Sequence, residues 1–172
     1  LGRVVIRGRI RSDLFEARYF PEVCTTHTYQ EKIDTLKAAK RAGLSICSGG
    51  ILGLGETMED RIDMVLTARE LGVKSVPVNL LNPIPGTPYA GNRVLSEEEL
   101  CRCVAVFRFI IPDGSIRLAG GRGLLADKGE ACFRSGANAA ISGDMLTTAG
   151  ITTQTDLALL NKLGYEPRKC NE

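Results

Sequence analysis

Alternation of short apolar runs with amphipathic segments predicts an α/β fold built on a parallel sheet. Three observations carry this. Helix-like segments end at Gly43, Gly72, Gly136 and Gly164, the residue type that closes a helix most easily in a left-handed turn. After the first three of these stops a short apolar stretch begins at once. No two apolar runs are joined by a tight hairpin signal, so the chain must cross over between strands, and such crossovers are right-handed.

Residues 1–20 are basic, with Arg3, Arg7, Arg9, Arg11 and Arg18 interrupting Val4, Val5, Ile6 and Ile10. That pattern fits an edge strand guarded by charge, or a tail without fixed structure. Residues 29–42 read as a helix with Ile33 and Leu36 on its apolar side. The run 44–56, L-S-I-C-S-G-G-I-L-G-L-G-E, reads as a short strand ending beside Cys47, then a glycine-rich loop. Glycine there permits positive φ or close approach of the backbone to a ligand, although a plain strand-to-helix turn looks the same. Met58, Ile62, Val65 and Leu66 give the next helix, and residues 73–81 the next strand, ending near Asn79. A loop with Pro83, Pro85, Gly86 and Pro88 follows. Ser96 with Glu99 has capping-box form and opens a helix with Leu100, Cys103, Val104, Phe107, Ile110 and Ile111 on one face. Residues 115–119 form a strand, 124–135 a weaker helix, and 137–142 a further strand. Thr147 and Thr148 fall in the loop after it, and Thr153 with Asp156 opens the last helix.

The order is a helix followed by about four strand–helix units. An open doubly wound sheet and half of an eight-stranded barrel both satisfy it. In either one, function sits at the carboxyl ends of the strands. Cys47, Asn79, Arg117 and the Thr147/Thr148 loop are therefore expected on one rim. Each has a plainer role as well: a core thiol, an amide satisfying a neighbouring backbone group, an ion-paired arginine, a turn cap.

The composition narrows the function classes. With 172 residues, 44% hydrophobic and 24% charged, the chain suits one domain with a real core. A net charge of +2 gives no case for nucleic acid or an anionic membrane surface. No run of 18 or more apolar residues suggests a membrane span. The first residues are too short in apolar length for a signal peptide, and the missing initial Met suggests a fragment. Six cysteines (24, 47, 101, 103, 132 and 170) stand at irregular spacings, so reduced thiols and a cytoplasmic setting are expected. Cys101, Cys103, Cys132 and Cys170 read as structural or incidental, and His27 as a surface or capping residue.

Five stretches occur together and in order: T-T-H-T-Y-Q-E-K-I-D-T-L-K, A-G-L-S-I-C-S-G-G-I-L-G-L-G-E-T, S-V-P-V-N-L-L-N-P-I-P-G-T-P, I-R-L-A-G-G-R and G-D-M-L-T-T. Over residues 19–166 they resemble the C-terminal half of the biotin synthase family, within the radical S-adenosylmethionine enzymes. The resemblance implies a partial TIM-type barrel, these units being its strands five to eight. It implies that Cys47 and Arg117 are ligands of a 2Fe-2S cluster that donates sulfur to dethiobiotin. It implies that Asn79 meets the ureido ring of dethiobiotin and that Thr147 and Thr148 hold its carboxylate tail. Gly49, Ile51, Gly53 and Glu56 match the G-x-I-x-G-x-x-E pattern that lies against S-adenosylmethionine. Lys32 stands where the family has an arginine for the methionyl carboxylate, keeping the charge and losing the bidentate fork.

Two departures accompany the likeness. The C-x-x-x-C-x-x-C triplet that binds the family's 4Fe-4S cluster is absent from the sequence, and residues 1–17 look unrelated to the family. The expected organisation is 1–17 as an atypical stretch, 18–166 as half a barrel (with a biotin- and thiamin-synthesis-associated domain over about 73–150), and 167–172 as a tail. The chain alone is then expected to be inactive. A relative in thiamin or hydrogenase-cofactor assembly, or a non-catalytic half-barrel that associates with a partner or as a homodimer, are the alternatives.

Overall fold

Three helices begin on the same device. In the computed structural model, which describes residues 4–7, 26, 28–144 and 150–168, helices α1 (Tyr29–Arg41), α2 (Met58–Glu70) and α3 (Glu97–Ile110) each start with a capping box. Thr28 pairs with Glu31, Thr57 with Asp60 and Ser96 with Glu99, so backbone N–H groups left over by the helical pattern are satisfied locally. Between and around them run strands β1 (Val4–Arg7), β2 (Ile46–Leu52), β3 (Ser75–Leu80), β4 (Ser115–Leu118) and β5 (Ala139–Ala140). A 3₁₀ turn (Arg122–Leu124), a short helix α4 (Glu130–Arg134) and helix α5 (Thr153–Lys162) complete the order.

All five strands are parallel, and their order in the sheet is β1-β2-β3-β4-β5. This order separates the two architectures left open by alternation. A doubly wound sheet reverses direction at a switch point. Right-handed crossovers that always step to the next strand put every helix on the same face, which is how a barrel is wound. The core agrees: Leu52, Val76, Val78, Leu80, Ile116 and Leu118 of the strands pack with Met64, Val65 and Ala68 of α2, Val104 and Phe107 of α3, and Phe133 of α4. The sheet is a segment of a TIM-type barrel.

Several sequence boundaries shift. The basic start supplies an edge strand, β1, which pairs with β2 from Val4↔Ile46 to Arg7↔Gly49. β2 does not turn at Ser48-Gly49-Gly50 but runs through them to Leu52. Cys47 is thus the second residue of its strand and lies toward the amino end, not at the carboxyl rim. The expected helix over 124–135 divides into the 3₁₀ turn and α4, because Gly129 adopts a left-handed φ of 92° between them. The strand over 137–142 keeps only two ladder residues.

Gly49 explains how β2 passes its own glycines. A Cβ on Gly49 would stand 2.0 Å from the Pro77 carbonyl oxygen, so the glycine is demanded by close approach rather than by a turn. Gly49→Ala is expected to destabilise the fold by roughly 3 kcal/mol or more. The urea midpoint should fall with the m-value unchanged; an unaltered midpoint would show that the two strands are not held this closely.

Glu99 adds a pH dependence at the start of α3. Its carboxylate takes Arg93 at 2.7 and 2.5 Å and the Ser96 backbone N–H at 2.9 Å. These hydrogen bonds, Arg93 first, hold it far below the ordinary carboxylate value of 4.5. A depressed folded-state pKa gives stability that is complete above the unfolded value and lost as pH falls below it. Acid titration of unfolding should therefore show stability declining from about pH 4.5 downward, and Glu99→Gln should flatten that decline.

Candidate functional site

Side chains alternate across a strand, and residues paired in a parallel ladder point the same way. The apolar set of β2, β3 and β4 (Ile46, Leu52, Val76, Val78, Leu80, Ile116, Leu118) belongs to the core under the helices. The alternate set therefore faces the other side of the sheet, and it is mostly polar or small. Its lowest level contains Cys47, Ser75 and Ser115, which are ladder partners in turn. One level up stand Gly49, Pro77 and Arg117, and above them Ile51 beside Asn79. The Cys47 thiol, only 3% exposed, donates to Ser75 Oγ at 3.4 Å. This contact confirms that the two side chains share the face.

Three of the expected site residues thus come together on one surface, at staggered heights rather than on a common rim. Cys47 and Arg117 are separated by one intervening strand and one level, which at ordinary sheet spacings puts their Cα atoms roughly 12 Å apart. Asn79 does what an amide at a strand end usually does. It donates to Gly50 O at 3.1 Å and accepts from Gly120 N at 3.0 Å, clamping β2 and the end of β4 to β3. An amide has two N–H groups and two lone pairs, so each end of Asn79 keeps one for another partner.

The residues matched to S-adenosylmethionine divide. Ile51 is on the polar face, level with Asn79. Lys32 lies in the first turn of α1, which follows β1, so topology places it at the carboxyl end of the sheet. Gly53 opens the turn after β2 with φ at 104°. Glu56 is turned elsewhere: its wholly buried carboxylate accepts from Gly53 N and from Arg61 Nε, both at 2.8 Å, and Arg61 also donates to Cys103 Sγ at 3.5 Å. Oε1 of Glu56 therefore shapes the turn, while Oε2 is buried without a hydrogen-bond partner among the described residues. Thr147, Thr148, His27, Cys24 and Cys170 lie outside the described residues.

A second buried pair escaped the sequence reading. Arg122, 4% exposed, pairs with Asp156, 5% exposed, and Ser142 donates to the other Asp156 oxygen. Thr153 with Asp156 reads as the opening of α5, but Thr152 is the cap, and Asp156 instead ties α5 to the turn after β4. The signal was the arginine itself, since a cation directly after Gly120-Gly121 in an apolar neighbourhood needs a partner. Arg108 was likewise missed. It donates to the carbonyls of Ile111, Pro112, Gly114 and Gly136, holding together the loops at the amino end of the sheet.

Residues 77–166 match the model of the biotin and thiamin synthesis associated domain. The chain is 63% identical over 159 residues to biotin synthase 2 of Corynebacterium diphtheriae, covering 92% of this chain and 48% of that protein. It is 64% identical over 151 residues to the biotin synthase of Akkermansia muciniphila, covering 88% and 47%. The chain thus spans about half the length of the curated relatives it matches. Among solved structures, a methylornithine synthase superposes with a TM-score of 0.76 at 17% identity, over 98% of this chain and 52% of that one. A maturase of the FeFe-hydrogenase superposes with a TM-score of 0.78 at 18% identity, over 99% and 41%. At such identities these two show the fold alone. Among the described residues, no helix is long and apolar enough to cross a membrane.

The Arg122–Asp156 pair lies inside the matched region and can be tested directly. Removing one partner of a buried pair strands the other charge, so Asp156→Ala should cost about 3–5 kcal/mol. Replacing both, as Arg122→Met with Asp156→Leu, should recover most of that loss in a chemical-denaturation measurement. If the single substitution proves as mild as a surface change, the pair is not buried in solution.

Proposed function

The chain belongs to the family of the biotin and thiamin synthesis associated domain, and from that premise we propose that it is the carboxyl-terminal half of a biotin synthase. The observation that carries the reading is that Cys47 and Arg117 share the polar face of the sheet, with Asn79 above them. A buried thiol, a guanidinium and a partly committed amide on an otherwise small-residue surface suit a cavity that holds a polar, ring-shaped substrate beside a soft-ligand site.

In this reading Cys47 and Arg117 hold a 2Fe-2S cluster. Iron–sulfur clusters take thiolate ligands, and the open face offers one, so the donor set of this chain is partial. Among the described residues no group of three or more His, Cys, Asp or Glu side chains comes together as a metal site. By the family likeness, the remaining ligands belong to strands outside this half of the barrel. When bound, that cluster supplies the sulfur inserted into dethiobiotin.

The chain's own residues bind and orient. The free N–H and lone pair of Asn79 fit the complementary acceptor and donor of a ureido ring, and Thr147 and Thr148 receive the carboxylate tail. Ile51 packs against the adenine of S-adenosylmethionine, with Gly49 keeping the backbone flat beneath it and Glu56 fixing the Gly53 turn. Lys32 meets the methionyl carboxylate as a point charge. The C-x-x-x-C-x-x-C triplet that would hold a 4Fe-4S cluster is absent from this sequence. The chain alone is accordingly inactive, and needs the complementary half-barrel to act.

The test supplies the amino-terminal half of a biotin synthase as a separate chain under anaerobic reconstitution. Dethiobiotin-dependent biotin formation should appear only with both chains present. It should fall by more than about a hundredfold in Cys47→Ala, since even outer-shell partners of a metal site cost tenfold or more. Biotin made by this chain unaided, or full activity with Cys47→Ala, would refute the assignment.

A further inference from the structure

Two thiols that the sulfur-insertion reading does not use face each other across a helix pair. Cys101 Sγ on α3 and Cys132 Sγ on α4 stand 3.8 Å apart, although 31 residues separate them in the chain. Their neighbour Cys103 is directed elsewhere, into the core against Arg61. The distance leaves less than 2 Å of closure to reach the S–S bond length of about 2.05 Å. Cys101 is half-buried, within reach of a small solute, while Cys132 is fully buried behind it.

We propose that Cys101 and Cys132 form a reversible disulfide, an oxidative modification site that staples α3 to α4. The inference stands apart from the sulfur-insertion reading, because neither thiol lies on the polar face. The oxidant suited to the geometry is a hydroperoxide small enough to reach Cys101. The Cys101 thiolate attacks one peroxide oxygen, the O–O bond breaks, and Cys101 becomes a sulfenic acid as water or an alcohol leaves. The Cys132 sulfur then attacks the sulfenic sulfur, its proton leaves with the displaced hydroxide as water, and the S–S bond forms. Two thiols are oxidised and one peroxide is reduced.

The order of events follows from the surroundings. Burial, then the adjacent Cys101, with Asp127 and Glu97 beyond, push the Cys132 thiol well above its ordinary value. Cys132 is therefore the resolving partner and Cys101 the first to react, since thiolate character and access set susceptibility. The staple would join two of the helices over β3 and β4, the strands that carry Asn79 and Arg117.

Peptide mapping decides the matter, because cleavage after Arg102 separates Cys101 from Cys103. Trypsin releases Cys101 in residues 94–102, Cys103 in 103–108 and Cys132 in 129–134. The folded chain is treated with hydrogen peroxide, its remaining thiols are alkylated in denaturant, and the digest is weighed. The expected product is 94–102 joined to 129–134, two hydrogens lighter than the sum and released by dithiothreitol. In Cys132→Ala the bridge cannot form, and Cys101 should accumulate as a sulfenic acid captured by dimedone. Should that variant not fold, the unsubstituted chain is sufficient. Alkylated Cys101 and Cys132 after oxidation, or Cys101 bridged to any other cysteine, overturns the proposal.

Discussion

The register between β2 and β3 is the constraint from which the site follows. Gly49 lies level with Pro77, and the space a Cβ would take on the glycine is filled by the Pro77 carbonyl. A slip of one residue in one direction would bring the Ser48 side chain to that spot, and in the other a second glycine, Gly50. It would also reverse the faces of the strand. Cys47 would then go under the helices and Ile46 would replace it on the polar surface. The steric demand at Gly49 thus blocks one of the two slips, and the observed register keeps a thiol, a guanidinium and an amide on a common side of the sheet.

The winding of the chain makes the two faces of the sheet different. Strands added in sequential order by right-handed crossovers leave all the covering helices on one side. That side can be apolar and closed, as Val76, Val78, Ile116 and Leu118 are. The other side is free to carry groups that a core would reject. Burying Arg117, Ser75 and Ser115 under α2 and α3 would cost several kcal/mol for each group left without a partner. The polarity of one face and the apolarity of the other are therefore one fact of topology, expressed in alternate residues of the same strands.

Much of this was readable in the residues. The capping box at Ser96 and Glu99, the glycine stops, and the alternation of strand and helix all depend on neighbours a few positions away, and they stand as expected. Cys47, Asn79 and Arg117 were expected together at the carboxyl ends of their strands; they share a face through the ladder register instead, with Cys47 toward the amino end of β2. What failed depended on partners distant in sequence. Ser48-Gly49-Gly50 looked like a turn because glycine usually marks one, yet the requirement came from Pro77, 28 positions away in the sequence and level with Gly49 in the ladder. Thr153 with Asp156 looked like the opening of a helix because their spacing allowed it, yet Arg122 claimed the carboxylate. Polar side chains with two possible uses cannot be assigned until the competing partner is known.

The two buried ion pairs share a placement that gives them a common reason. Glu56–Arg61 fixes the turn leaving β2, and Arg122–Asp156 fixes the turn leaving β4 against α5. Both stand where the chain passes from a strand's carboxyl end into the helical layer. As sources of stability such pairs are poor, since desolvation offsets most of their attraction. Apolar side chains could fill the same volume, but they would not fix direction, because apolar packing tolerates shifts that a charge-assisted hydrogen bond does not. A loop that must present residues to a bound molecule needs direction more than it needs burial. The expensive pairs occur at the ends of strands that also carry Ile51 and Arg117, where a displacement of the backbone would be felt at once on the polar face.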